Sequence, residues 1–221
     1  MPFGAFDSVP KRLLICGTRS LAAEVADLVS VIPEFELVGF VENLDRERCS
    51  TTLEGLPIYW VDDLADMAGD HVAVCALGTT HRSRFTQQVE KLGVPFATVV
   101  HPSAQVSPRS SLGDGTIVGV GAIVGARTSI GRHVFINRGV LIGHHTVIGD
   151  HVSIMPGANI AGNCRIDDAA FIGIGAVVVN NVTVGSHSAV GAGAVVTKDV
   201  PPNVQVVGVP ARVIKQNISG E

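Results

Sequence analysis

The chain has 221 residues, of which 46% are hydrophobic, 16% are charged and 25 are glycines. This composition predicts a globular, turn-rich protein. Its formal net charge is −4 and no basic cluster is visible, so we expect no nucleic-acid partner. Residues 1–12 lack the apolar core of a signal peptide, and no apolar run is long enough to span a bilayer. We therefore expect no membrane partner and a cytoplasmic location.

The first hundred residues alternate between strand-like and helix-like patterns. Residues 12–17, 35–42 and 71–78 read as strands, and residues 20–32 and 82–92 read as helices. Alternation of this kind predicts a small open parallel sheet of Rossmann type, with ligands at the strand ends. We place the domain boundary near His101 and Pro102, which gives domains of residues 1–101 and 102–221.

A strict six-residue repeat occupies the second domain. Every sixth residue from Val106 to Val196 is aliphatic, often with glycine next, and a small side chain follows four residues after nearly every one. A helix repeats near 3.6 residues and a simple strand at 2, so neither explains this period. A hexapeptide repeat predicts a parallel β-helix, whose aliphatic residues point inward. The tail after Val196 breaks the phase at Pro201 and Pro202, and we expect it to cap the last coil.

The repeat resembles that of the hexapeptide-repeat acyltransferases, which build a left-handed β-helix from three hexapeptides per triangular coil. This resemblance implies an α/β N-terminal Rossmann-like domain followed by an all-β left-handed parallel β-helix. A coil then has eighteen residues, and residues eighteen apart stack in one column. His144 stacks between Ala126 and Gly162 in such a column, which predicts an open notch around its imidazole. Imidazole ordinarily titrates near neutrality and suits a general base.

A closer resemblance rests on INRGVLIGHHTVIGD, the preceding domain and the ending GVPARVI. Together they are similar to the acetyl-CoA-dependent sugar acyltransferases, which modify nucleotide-linked amino sugars and sialic acid for cell-surface polysaccharides. That family's motif is IN, six residues, then H-[DE]-x-x-x-G, and Asn137 and His144 match it. The resemblance implies direct transfer: the histidine deprotonates an acceptor amine or hydroxyl, which attacks the thioester of acetyl-CoA. It implies no metal.

Two positions depart from the family pattern. His145 stands where the family has an acidic residue that makes the catalytic histidine more basic. Ser153 stands where many members have a second histidine near the acetyl group. Ser153 falls in a column between Phe135 and Phe171, where we expect a pocket, and its hydroxyl can donate a hydrogen bond to a thioester carbonyl.

The remaining site residues follow from the same resemblance. The cofactor-binding positions are Ser153, Gly162, Ile174 and Ala192. The substrate-binding positions, for a nucleotide sugar, are Gly17, Arg19, Ser20, Glu42, Asn43, Gly78 and Asn137. Arg19 is a candidate to pair with a phosphate. The N-terminal match is the weaker one, because only the first glycine of the family's Gly-rich first turn is kept.

The outward-facing residues of the predicted coils sort into three faces. The first shows Ile117, Phe135, Phe171 and Ala189, the second Ile123, Leu141, Val177 and Val195, and the third Ser129, Val147, Arg165 and Thr183. Two apolar faces predict burial by a partner. A homotrimer, as in the resembling family, would use both faces and place active sites between subunits.

Two other functions stay open at this point. A zinc enzyme like the γ-class carbonic anhydrases shares the solenoid and needs three histidines that converge from adjacent subunits, for which His144, His145 and His151 are available. A non-catalytic binding or scaffold protein would keep the fold without the acidic partner of the base. His133 and His151 share a column at turn positions, and we expect both to be solvated.

Overall fold

The computed structural model describes residues 9–220, which form an α/β layer followed by a solenoid. The layer contains β1 (Lys11–Cys16), α1 (Ser20–Ser30), β2 (Phe35–Glu42), β3 (Thr52–Leu53), β4 (Leu56–Trp60), β5 (His71–Cys75) and α2 (Ser83–Lys91), with 3₁₀ segments at Arg46–Ser50, Val61–Met67 and Thr80–Arg82. The strand order is β3-β4-β2-β1-β5, and β1 is parallel to both β2 and β5. The carboxyl ends of these three strands therefore lie at one edge of the sheet, where α/β proteins usually bind ligands.

The solenoid consists of two-residue strands placed six residues apart. They are β6 (Val99–Val100), β7 (Gln105–Val106), β8 (Ser111–Leu112), β9 (Ile117–Val118), β10 (Ile123–Val124), β11 (Ser129–Ile130), β12 (Phe135–Ile136), β13 (Leu141–Ile142), β14 (Val147–Ile148), β15 (Ser153–Ile154), β16 (Asn159–Ile160), β17 (Arg165–Ile166), β18 (Phe171–Ile172), β19 (Val177–Val178), β20 (Thr183–Val184), β21 (Ala189–Val190) and β22 (Val195–Val196). From β9 onward each strand pairs in parallel with the strand three places earlier, as Ile142 does with Val124. Three parallel sheets result, one for each side of the coil. This ladder begins at β6, just before the predicted boundary at residue 102.

The interior of the solenoid follows the predicted six-residue phase. Ile142, Ile148 and Ile154 are 3%, 2% and 0% exposed, as the repeat predicts. They belong to one apolar cluster that runs from Val118 to Val206. Because burying a side chain of this size contributes about 1.5–3 kcal/mol, the repeated column stabilises the stacking of the coils.

Three columns of turns separate the three sheets. We call them corner A (turns 119–121, 137–139, 155–157, 173–175 and 191–193), corner B (125–127, 143–145, 161–163 and 179–181) and corner C (113–115, 131–133, 149–151, 167–169 and 185–187). The third residue of every turn has positive φ, as at Gly139, His145 and His151. Corner A has glycine at this position in all five turns, whereas corners B and C also place Arg, His, Asn or Ala there.

The first apolar face of the solenoid is covered by the chain's own N-terminal layer. Ile117 and Phe135 are 1% and 5% exposed, and they share a core cluster with Leu13 and Val25. The prediction that this face contacts another subunit is therefore wrong for these residues, because α1 and the sheet already bury them. On the second face Ile123 and other aliphatic residues stay more than a third exposed.

Corner C also differs from the prediction, because His133 is enclosed and His151 is half-buried. His133 is 3% exposed, lies edge-on to Phe96 at 4.6 Å and stacks on His151 at 5.0 Å. Its Nε2 is 3.2 Å from a carboxylate oxygen of Glu90, on α2. The expectation that both histidines are solvated is wrong, because α2 and the segment after it pack onto this corner. Burial lowers the pKa of both rings, and the neighbouring His133 and Arg82 help to lower that of His151 to about 4.

We expect the protein to lose stability as the pH falls from about 6.5 to about 4. In this range the unfolded chain binds protons on these imidazoles, whereas the folded chain resists binding one on His151. The free energy of unfolding therefore falls as the pH is lowered through the window. Denaturant titrations at several pH values should show a smaller dependence for His151→Asn than for the wild type. His187→Asn, at an exposed position of the same corner, is the matched control, and an equal change in both variants would contradict the assignment.

The tail adds two strands to one sheet at the end of the solenoid. Strand β23 (Val204–Val207) pairs in parallel with β21, and β24 (Arg212–Gln216) folds back antiparallel onto β23. Val200 bridges to Val184 and extends a second sheet. Between residues 9 and 220, no helix has the length and apolar character needed to cross a membrane.

Candidate active site

The imidazole of His144 lies over Gly162 at corner B. A Cβ atom added to Gly162 would come within 2.8 Å of Cε1 and 2.9 Å of Nε2 of His144, so glycine lets the ring lie in this position. Ala126, on the other side, is exposed. His144 itself is exposed, so its imidazole is accessible to a ligand.

His144 and His145 are joined by a hydrogen bond between their ring nitrogens. The two Nδ1 atoms are 3.0 Å apart, and the rings are nearly perpendicular. A neutral imidazole donates from one nitrogen and accepts at the other. When His144 donates from Nδ1, its Nε2 is free to accept a proton. Arg127 places Nη1 3.5 Å from Nε2 of His145, which is beyond the usual range for a strong hydrogen bond.

Asn137 lies at corner A, beside a cleft between α1 and the solenoid. Its Oδ1 accepts a hydrogen bond of 2.7 Å from the backbone N–H of Arg138, so its amide nitrogen is the end left for a ligand. The cleft has a volume of about 400 Å³. Its lining combines apolar and polar side chains: Glu24, Val25, Asp27, Leu28, Ser30, Val31, His101, Val120, Phe135, Asn137 and Arg138, with Gly119. Arg138 pairs with Glu24 at the rim.

The predicted coenzyme positions are divided between two corners. Ile174, 59% exposed, and Ala192 lie at corner A with Asn137, whereas Gly162 lies at corner B with His144. An extended chain rises about 3.3 Å per residue, so the side that separates Asn137 from His144 is roughly 15–20 Å long. One chain therefore does not bring the two groups together.

Ser153 does not line the expected pocket. It is 0% exposed, and its hydroxyl accepts a hydrogen bond of 2.7 Å from Nη1 of Arg82. The predicted contact with the coenzyme is contradicted by this burial, because the N-terminal layer covers the face from which Ser153 projects. Arg82 was not foreseen, since a single arginine near the start of a predicted helix gives no sequence signal.

The predicted substrate turns do lie together at the carboxyl edge of the sheet. Gly17 leads from β1 into an exposed Arg19 and Ser20, and Gly78 follows β5. Gly17 has φ +124°, and a Cβ atom added to it would lie 3.2 Å from the carbonyl oxygen of Ala76. This close approach explains the glycine at the end of the strand.

Glu42 is held within this edge and does not project from it. Its carboxylate accepts hydrogen bonds from the Thr18 hydroxyl and from the backbone N–H groups of Asn43 and Leu44. Burial works to raise the pKa of Glu42, but these hydrogen bonds outweigh it and hold the pKa below its ordinary value. Arg48 completes the cluster by donating to the backbone carbonyl of Thr18 at 2.5 Å. Glu42 thus shapes the turn, and Asn43, half-buried, is the member of the pair open to a ligand.

Comparison with known proteins identifies the family. Residues 127–162 match the model of the bacterial transferase hexapeptide (six repeats). WeeI from Acinetobacter baumannii AYE has 30% sequence identity and a TM-score of 0.84, over 92% of this chain and 99% of that chain. This chain belongs to the hexapeptide-repeat sugar acyltransferases. It is therefore an enzyme of the acyltransferase class.

Two further solved structures resemble this acyltransferase over nearly their whole length. A mutant of perosamine N-acetyltransferase from Caulobacter crescentus, in complex with CoA and GDP-perosamine, has 28% identity and a TM-score of 0.86, over 93% of this chain and 97% of that chain. The acetyltransferase domain of PglB from Neisseria gonorrhoeae FA1090, in complex with acetyl coenzyme A, has 28% identity and a TM-score of 0.85, over 93% and 100%. None of the curated proteins matches the chain in sequence.

The three histidines of the zinc-lyase hypothesis do not converge within one chain. His144 and His145 lie at corner B, whereas His151 lies at corner C and stacks on His133. Among residues 9–220, no group of three or more His, Cys, Asp or Glu side chains is arranged to hold a metal ion.

Proposed function

We propose that this acyltransferase moves the acetyl group of acetyl-CoA onto an amino group of a nucleotide-activated sugar, with His144 as the general base. The observation that carries the proposal is the exposed imidazole over Gly162, tied at Nδ1 to His145. The relatives crystallised with CoA and GDP-perosamine, or with acetyl coenzyme A, support the choice of substrates. No metal takes part in the proposed reaction.

The proposed reaction needs one base and no covalent intermediate. Nε2 of His144 takes a proton from the acceptor nitrogen as that nitrogen attacks the thioester carbonyl. The C–N bond forms, the C–S bond breaks, and the departing CoA thiolate takes the proton from the imidazolium. His145, accepting the Nδ1–H of His144, holds the ring in this tautomer and partly balances the charge that develops, in place of a carboxylate.

The acceptor is proposed to bind at the N-terminal layer. We interpret residues 1–101 as a Rossmann-like nucleotide-sugar-binding domain and residues 102–221 as the catalytic left-handed β-helix with its cap. The turns at Gly17, Asn43 and Gly78 supply the nucleotide end, and Arg19 is free to meet a phosphate. Asn137 supplies two amide donors to the sugar, because its Oδ1 is already occupied.

A complete site then requires two copies of the chain. Asn137, Ile174 and Ala192 lie on corner A, while His144 and Gly162 lie on corner B, at the other end of the second apolar face. That face keeps Ile123, Leu141 and Val177 at 41%, 39% and 36% exposure. We propose a homotrimer that buries this face and sets corner A of one subunit against corner B of the next.

The test of function is direct. The purified protein should be incubated with acetyl-CoA and a panel of nucleotide-linked amino sugars, with matched hydroxyl-only sugars as controls. We expect release of the CoA thiol together with a sugar product heavier by one acetyl group. Acetylation of the hydroxyl-only sugars alone would contradict N-acetylation and indicate an O-acetyltransferase. Failure of every acceptor to react, with acetyl-CoA still bound, would favour a non-catalytic scaffold.

We expect light scattering to show a trimer, and mixed trimers to show that its sites are shared. Asn137→Ala and His144→Ala each spoil one half of a shared site, so each variant alone should be nearly inactive. Co-expressed and co-purified, the two should recover part of the wild-type turnover, because some interfaces then combine two intact corners. The double variant, carrying both changes in one chain, is the matched control. Mixed with either single variant it should recover no turnover, because no interface then combines two intact corners. A monomer at micromolar concentration would contradict the shared site.

A further inference from the structure

Arg82 lies enclosed between the N-terminal layer and the solenoid, directly before α2. Its side chain is 1% exposed. Nη1 donates to the carbonyl of Thr79 at 2.8 Å and to the hydroxyl of Ser153 at 2.7 Å, and Nη2 donates to the carbonyls of His133 and Val152 at 2.7 and 2.8 Å. Nε donates to the carbonyl of His133 at 2.9 Å. A guanidinium has five N–H donors, and these contacts use all five.

The charge of Arg82 is solvated by oxygen dipoles of the protein. Within residues 9–220 the structure pairs no carboxylate with it. Burial lowers the pKa of Arg82 to about 10, with Cys75 acting in the opposite direction, so the group stays charged at neutral pH. A buried charge is costly to desolvate, and apolar side chains generally close such an interface at lower cost. What the guanidinium adds is geometry, because its rigid fork fixes the direction of every bond.

The oxygens that Arg82 joins belong to two different parts of the site. Thr79 follows Gly78 in the turn after β5, at the edge where the nucleotide sugar is proposed to bind. His133, Val152 and Ser153 belong to the stretch of solenoid that contains His144. The contacts with Ser153 and His133 span 71 and 51 residues of sequence, so this connection exists only in the folded chain.

We propose that Arg82 is a positioning residue, which holds the turn at residues 77–80 at a fixed level along the solenoid and so sets the acceptor in register with the catalytic histidine. The inference rests on the proposed function. In a cyclic trimer the His144 of the neighbouring copy lies at the same level along the axis, so a turn fixed to its own solenoid is also fixed relative to that base. Ser153 serves as the anchor of this arginine and does not contact the coenzyme.

The first test measures the turn itself. Hydrogen exchange of the amides in residues 77–80 should be compared between the wild type, Arg82→Lys and Arg82→Gln, after circular dichroism shows that each variant is folded. Lysine has three donors on one nitrogen and cannot replace the fork. We expect exchange in the turn to rise about tenfold in both variants, since lost hydrogen bonds permit local opening. Arg84→Gln, an exposed position on the same helix, is the matched control and should leave the turn unchanged.

The second test separates positioning from simple stability. In Arg82→Lys we expect KM for the nucleotide sugar to rise about tenfold while KM for acetyl-CoA stays within about twofold. Ser153→Ala should also raise the hydrogen exchange of residues 77–80 and KM for the nucleotide sugar, by smaller factors. Ser153→His restores the family's residue, and the proposal expects it to disturb the turn. Tighter acetyl-CoA binding in Ser153→His would overturn the role given to Ser153.

The two proposals fail in different ways. Unchanged exchange at residues 77–80 in folded Arg82 variants would overturn the positioning role, whatever the activity. Equal increases in both KM values would also overturn it, because they indicate a general loss of structure. If the wild type acetylates no nucleotide amino sugar, the proposed function fails, and the exchange measurement still decides whether Arg82 holds the turn.

Discussion

His144→Ala is expected to reduce turnover by a factor on the order of a hundred or more, which is the usual contribution of a general base. Alanine leaves the fold intact, because His144 is exposed and its backbone is not in the left-handed region. KM for acetyl-CoA should change little, since the proposed contacts at Gly162, Ile174 and Ala192 hold the coenzyme without the imidazole. Steady-state kinetics with the true acceptor provides the measurement.

Substitutions at two other corner histidines, His187 and His145, sharpen this expectation. His187→Ala removes an exposed corner histidine whose turn position tolerates alanine, as Ala169 shows in the same column, and it should keep full activity. His145→Asp restores a carboxylate beside the base and should keep or raise the rate, whereas His145→Ala should cost less than His144→Ala. Full turnover in His144→Ala would show that this histidine is only a corner residue.

Ile148→Asp is expected to unfold the protein or to lower its melting temperature severely. Ile148 is 2% exposed in a column of aliphatic side chains, and no donor there can pair with a carboxylate. An unpaired buried charge costs several kcal/mol, a large part of the roughly 5–15 kcal/mol that stabilises a typical domain. Thermal unfolding followed by circular dichroism tests this.

Val147→Asp is the matched control, because Val147 belongs to the same strand but is 42% exposed on the outer face. It should leave the melting temperature of the subunit nearly unchanged. The reverse order, with Val147→Asp the more damaging change, would mean that the strand is in the opposite register.

The solenoid was predictable from sequence because its contacts are periodic. Each interior position repeats after six residues and each column after eighteen, so a residue's neighbours follow from arithmetic once three hexapeptides form a coil. For this reason Ile142, Ile148 and Ile154 fell inside as predicted, and Gly162 fell beneath His144. The second strand was also placed residue for residue at Phe35–Glu42, whereas β1 ends at Cys16 and β5 at Cys75, before the glycines that the predicted strands included.

Only the tertiary structure decided what covers the solenoid from outside. The repeat marks Phe135 and Ser153 as outward-facing, and nothing in its period states that the N-terminal layer packs on that side. Burial of His133 and partial burial of His151 at corner C, and the hydrogen bond between Arg82 and Ser153, arise from contacts between residues far apart in sequence. Such contacts depend on how two units dock, and their free energy is spread over surfaces that have no common period.

The same distinction applies to the candidate site. The sequence by itself determined which residues lie at corners and which corner histidine has small residues above and below it. It did not determine that Asn137 and His144 lie at opposite ends of one side of the coil, because their spacing of seven residues suggests closeness. In an extended strand seven residues cover a long distance, and the triangular cross-section turns that distance into two separate edges of the molecule.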